Sequence, residues 1–127
     1  MPFEPMLFVD DVEATSKFFQ DLLGFRSAHG GKEYEMLVDG EGKLALQLHH
    51  ADAGEHGAER LPAGSSRGAG VLLYFSVPDV RKAHATAAAL GAACEGPPTY
   101  IRLAGHTEFI VRDPDGYAIA VYQRGEA

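Results

Sequence analysis

Residues 8–25, FVDDVEATSKFFQDLLGF, decide the fold. Phe8-Val9 closes a short apolar run that starts at Phe3. Pro5 within that run cannot donate to a sheet ladder, which predicts an edge strand. Asp10 opens a helix: its carboxylate is suited to cap free backbone N–H groups, and Glu13 follows three residues on, as a capping box prefers. Val12, Thr15, Phe18, Phe19, Leu22 and Leu23 recur at three- and four-residue spacing and predict one buried helix face, which Gly24 terminates. Strands are predicted next over 25–28, 33–38 and 43–49, separated by Gly30-Gly31 and by Asp39-Gly40-Glu41-Gly42.

The pattern then restarts. Residues 71–77 form an apolar strand, and Pro78-Asp79 leads into a helix through Val80, Ala83, Ala87 and Leu90, closed by Gly91. Weak strands over 92–95 and 99–103 flank Gly96-Pro97-Pro98. Strong strands over 107–112 and 117–123 are joined by Asp113-Pro114-Asp115-Gly116, with Pro and Gly where a type I turn favours them. The halves overlay. Val9-Asp10-Asp11-Val12 matches Val77-Pro78-Asp79-Val80, and Leu23-Gly24 matches Leu90-Gly91. Glu35-Met36-Leu37-Val38 matches Glu108-Phe109-Ile110-Val111, and Leu46-Gln47-Leu48-His49 matches Ile119-Ala120-Val121-Tyr122. Each half reads β-α-β-β-β, the mark of a duplication. Neither half buries its sheet face alone. The expected architecture is therefore one α+β domain over 1–127, of two tandem βαβββ modules (about 1–50 and 70–127, joined by 51–69). These form a curled, mostly antiparallel sheet with a concave cleft.

Composition narrows the function. The chain has 127 residues, 46% of them hydrophobic and 23% charged, as an ordinary globular domain has. Lys plus Arg number 11 against 18 Asp plus Glu, a formal net charge of −7, so neither nucleic acid nor an anionic membrane is an expected partner. The single Cys94 excludes an internal disulfide and any CxxC site, and is read as a small buried residue rather than a nucleophile. The opening Met1-Pro2-Phe3-Glu4 has no basic region before an apolar one, so no signal peptide is expected. No apolar run reaches the ~20 residues of a membrane span. A cytoplasmic location is the expectation. Gly64-Ser65-Ser66 is no nucleophile elbow, and Gly68-Ala69-Gly70 precedes a strand rather than a helix, so hydrolase and phosphate-loop chemistry are set aside.

FVDDVEATSKFFQDLLGF at the front and EFIVRDPDGYAIAVYQ (108–123) at the back, on a duplicated βαβββ unit, resemble the vicinal oxygen chelate superfamily. That superfamily holds glyoxalase I, bleomycin and fosfomycin resistance proteins and extradiol dioxygenases. The resemblance implies metal ligands on the first and last strand of each module in its enzymes. Carried onto this chain, those positions are Glu4, Leu72, Gln47 and Ala120. Leu72 and Ala120 have no donor, whereas a catalytic ion needs about three protein ligands and an open position. The resemblance therefore points to the metal-free, bleomycin-resistance-like members, with no metal or other cofactor expected.

Strand parity extends the site. Residues two apart share a face, so Met6 and Phe8 accompany Glu4, Ala45 and His49 accompany Gln47, Tyr74 and Ser76 accompany Leu72, and Ala118 and Tyr122 accompany Ala120. That mix of apolar and aromatic groups with a few polar tips suits a small-molecule pocket. Arg102 and His106 are placed at its mouth, with parity left open by Gly105. A shifted metal site of Glu4, Gln47 and His49 is the alternative. His50 and His56 are read as solvated loop residues, and His84 as exposed on the second helix. The expected function is metal-independent binding of an aromatic or amphipathic small molecule by a homodimer. The alternatives are a metal-dependent glyoxalase-type lyase or isomerase, or a dioxygenase, at the shifted site, and a cleft serving only as a partner surface.

Overall fold

Two units, Met1–Ser65 and Ser66–Ala127, each carry one four-stranded mixed sheet and one helix. The computed structural model describes residues 2–52 and 66–127, so most of the expected connection over 51–69, with His56, lies outside the described residues.

The first unit runs β1 (Met6–Val9), α1 (Val12–Leu23), β2 (Arg26–Ser27), β3 (Tyr34–Val38) and β4 (Leu44–His50). Its sheet order is β1-β4-β3-β2, with β1 on β4 parallel and the other pairs antiparallel. Pro5 does sit at a sheet edge, and its carbonyl still accepts from Gln47 N at 2.9 Å. The helix cap is Asp11, not Asp10: Asp11 Oδ1 accepts from Ala14 N at 3.0 Å. Asp10 lies one residue too early to reach the first free N–H groups. Gly24 ends the helix in the left-handed region. Val12, Thr15, Phe19 and Leu22 are buried as expected, joined by Ser16, against Leu7, Val9, Leu37, Leu46 and Leu48 of the sheet. Each such large side chain contributes about 1.5–3 kcal/mol by leaving water. Phe18 and Leu23 are only half-buried.

Among these apolar groups lies a carboxylate. Glu35 of β3 is 3% exposed. Its oxygens accept from Ser16 Oγ (2.9 Å), Ser27 Oγ (2.7 Å) and the backbone N–H groups of Gly30 (2.8 Å), His29 (3.3 Å) and Met36 (2.9 Å). Burial raises its pKa, but the donors outweigh burial and hold it below the ordinary carboxylate range. One side chain thereby ties α1, β2 and the turn after β2 to β3.

The second unit repeats the order: β5 (Leu72–Ser76), α2 (Val80–Ala89), β6 (Thr99–Ile101), β7 (His106–Arg112) and β8 (Ala118–Arg124), in sheet order β5-β8-β7-β6 with β5 on β8 parallel. Asp79 caps α2 through Lys82 N at 3.0 Å, and Gln123 Oε1 accepts from Val80 N at 3.0 Å. Val80, Ala83, Ala87, Phe109, Val111, Ile119 and Val121 form the core. The predicted strand over 92–95 is only an isolated bridge, Cys94 to Val111, because the two prolines at 97 and 98 interrupt the ladder. The Asp113–Gly116 turn closes as expected, with Gly116 N donating to Asp113 O at 2.9 Å.

The register between the modules differs from the sequence overlay at one place. Met36 pairs with Gln47 and Ile110 with Ala120, so Met36 corresponds to Ile110 and Glu35 to Phe109, one residue off the expected match. A one-residue slip exchanges the two faces of a strand. Glu35 therefore lies on the helix-covered face, and Glu108 lies on the opposite one.

Candidate ligand-binding site

In each unit the helix covers one sheet face, and the expected site residues lie on the other. In the first unit, Met6 pairs with Gln47 and Phe8 with His49, all half-buried, opposite the buried Leu7, Val9, Leu46 and Leu48. Tyr34 joins them from β3: its hydroxyl donates to Gln47 Oε1 at 2.6 Å, while Gln47 Nε2 donates to the Glu4 carbonyl at 3.1 Å. Burial, then the charges of Glu4 and Glu35, raise the Tyr34 pKa and keep the phenol a donor. His49 packs near Phe8 (5.7 Å between centroids) and Tyr34 (6.5 Å), and its Nδ1 lies 2.9 Å from the His50 carbonyl. His29, which the sequence reading did not single out, stands edge-on to Tyr34 at 5.0 Å.

The second unit assembles a tighter group. The ring of His106 lies 4.8 Å from that of Tyr122 and 5.9 Å from that of Tyr74, and the two tyrosine rings are 5.8 Å apart. Glu108 sits among them. Its Oε1 is 2.6 Å from His106 Nε2 and accepts from the Tyr74 hydroxyl at 3.2 Å. Desolvation and then the Glu108 charge raise the Tyr74 pKa, so this phenol too stays protonated. The β7–β8 register sets His106 opposite Arg124 and Glu108 opposite Tyr122, which settles the parity that Gly105 left open: His106 belongs to this face. Tyr74 remains 50% exposed.

Leu72 and Ala120 share the face of Tyr74 and Tyr122 by strand alternation. Arg102 is exposed in the turn after β6, which the Gly105 N to Ile101 O bond (2.8 Å) closes. Leu72 is exposed at the start of β5, whereas Ala120 is fully buried and offers a ligand no surface. His50 is the last residue of β4 rather than a loop residue, and its Nδ1 accepts from Asp52 N at 3.0 Å. His84 is not a solvated group: it packs edge-on to Phe109 at 5.0 Å. Cys94 is half-buried, and burial pushes its thiol pKa up, which disfavours a thiolate nucleophile. A hollow of about 670 Å³ lies by Arg67, Gly68, Leu72, Arg112 and Asp115. Its arginines are engaged, Arg67 by Asp115 (2.9 Å) and Arg112 by Glu95 (2.9 Å).

Of the four positions that the resemblance marks for metal, Glu4 and Gln47 carry oxygen donors and Leu72 and Ala120 do not. Leu72 and Ala120 bring hydrocarbon only, and the Gln47 oxygen already accepts from the Tyr34 hydroxyl. Among the described residues, no group of three His, Cys, Asp or Glu side chains is placed to hold one.

Residues 4–121 match the model of the Glyoxalase/Bleomycin resistance protein/Dioxygenase superfamily, and the chain belongs to that family. A protein of unknown function from Agrobacterium tumefaciens is similar at 26% identity and TM-score 0.77, over 97% of this chain and 94% of that one. A structure from the mobile metagenome of V. Pseudocholerae is similar at 24% identity and TM-score 0.74, over 99% and 95%. A glyoxalase-related enzyme from Fulvimarina pelagi shares the fold at 19% identity and TM-score 0.77, over 98% and 88%. No curated protein matches the chain. No helix among the described residues is long and apolar enough to cross a membrane.

Proposed function

We propose that this protein binds an aromatic or amphipathic small molecule without a metal ion, on the sheet face of the second unit that its helix leaves uncovered. The observation that carries the reading is the group of Tyr74, His106 and Tyr122 rings around Glu108, within 4.8–5.9 Å of one another. Aromatic side chains supply contact area at low entropy cost, and here one exposed ring, Tyr74, stands over two half-buried ones. Tyr74 is held by its hydrogen bond to Glu108, so the face is in part preorganised. Binding takes place in the cytoplasm, with the protein as a homodimer, the commonest soluble assembly.

A thermal-shift screen of aromatic and amphipathic compounds, run in chelator and again with Zn²⁺ or Ni²⁺, tests the reading. A ligand that binds only the native state raises the melting temperature by mass action. Shifts in chelator that disappear in Tyr122→Leu support it. Shifts that require added metal favour the glyoxalase-type alternative.

A further inference from the structure

The geometry points to a cationic ligand for this face, a protonated amine carried on an aromatic body, with Glu108 as its counter-ion and the Tyr74 and Tyr122 rings as its walls. The inference rests on the binding reading above and adds the ligand's charge to it.

Both hydrogen bonds to the Glu108 carboxylate reach Oε1, from the Tyr74 hydroxyl and from His106. Among the described residues Oε2 has no hydrogen-bond donor and can accept from a ligand, and no lysine or arginine pairs with this carboxylate, whose partner at Oε1 is the His106 ring. The Glu108 side chain is 15% exposed, so water covers little of it. Placing a neutral, donor-free group against that oxygen leaves it unsatisfied, and an anion adds like-charge repulsion.

The walls favour the same sign. Tyrosine faces carry negative quadrupole density and attract cations within about 6 Å of the centroid. The chain's own Arg124 guanidinium already lies 6.0 Å from the Tyr122 centroid, so a ligand's charge meets chiefly the Tyr74 ring, which is 50% exposed. The net charge of −7 adds a field that draws cations toward the protein.

Three probes of similar size separate the charge from the ring: benzylamine, benzyl alcohol and benzoate, titrated calorimetrically into the full chain near pH 7.5. Benzylamine, protonated there, is expected to bind about tenfold more tightly than benzyl alcohol, with benzoate weakest. Glu108→Gln is expected to bring the amine to the alcohol's level. Independently of that variant's folding, added salt should weaken the amine and not the alcohol with the wild-type chain. Alcohol or benzoate binding as well as the amine overturns the cationic ligand while leaving the binding reading intact. Failure of all three probes at millimolar concentration overturns both.

Discussion

Glu35 and Phe109 hold the same place in the two units, and each meets the same place on its helix. Glu35 pairs across the sheet with Leu48 and accepts from Ser16 of α1; Phe109 pairs with Val121 and packs on His84 of α2. One duplicated position thus carries a hydrogen-bonded charge in one unit and a ring contact in the other.

Removing that charge should be costly. Glu35→Ala strands the Ser16 and Ser27 hydroxyls and the Gly30 amide together, which predicts a loss of about 3 kcal/mol or more. Because its folded pKa lies below the ordinary value, the contribution of Glu35 is present above the unfolded carboxylate range and is lost as pH falls through the folded value. Denaturant melts from pH 7 to pH 3 check this, the gap between wild type and Glu35→Ala narrowing toward acid.

Asp113 behaves in the opposite sense. It is 5% exposed, its Oδ2 has no hydrogen-bond partner among the described residues, and its pKa is pushed up to about 6, first by burial and then by the Asp115 charge, against the backbone donors of Tyr117 and Asp115. A raised folded pKa gives stability that is full below the unfolded value near 3.8 and is lost as pH rises through about 6. Asp113→Asn does not titrate, so its stability relative to wild type should improve between pH 4 and pH 7 by about 2–3 kcal/mol. An unchanged difference across that range contradicts the assignment.

Two glycines of the second unit separate backbone strain from steric overlap. Gly116 has φ +95° with open space where a Cβ would sit, so Gly116→Ala should cost about 1 kcal/mol from its backbone alone. Gly68 has φ +72°, and a Cβ there would lie 2.5 Å from Tyr117 Cδ1, a buried ring. Gly68→Ala should therefore lower the melting temperature more than Gly116→Ala does.

Much of this architecture was legible because the two helix motifs and the Asp113–Gly116 turn fix the element order, and two-residue spacing from Glu4, Gln47, Leu72 and Ala120 set the parity of Met6, Phe8, His49, Tyr74 and Tyr122. The register of β3 against β7 was not legible. Both strands contain a glutamate before an apolar run, and aligning the two overlooks that Glu35 is buried with five donors around it. The same slip hid Glu108 as a site residue and Tyr34 as the partner of Gln47. The placing of Arg102 was not legible because the turn closed by Gly105 interrupts the strand alternation just before His106.

Binding on the Tyr74–His106–Glu108–Tyr122 face is proposed to need no metal. The chain has no tryptophan and 5 tyrosines, so its intrinsic fluorescence reports on these rings. The most direct measurement titrates that fluorescence with one aromatic amine, in protein stripped with chelator and in the same protein reloaded with Zn²⁺ or Ni²⁺. Saturable quenching with the same affinity in both is expected, unchanged in Glu4→Ala and lost in Tyr122→Leu. Quenching that appears only with metal and disappears in Glu4→Ala or His49→Ala would contradict it.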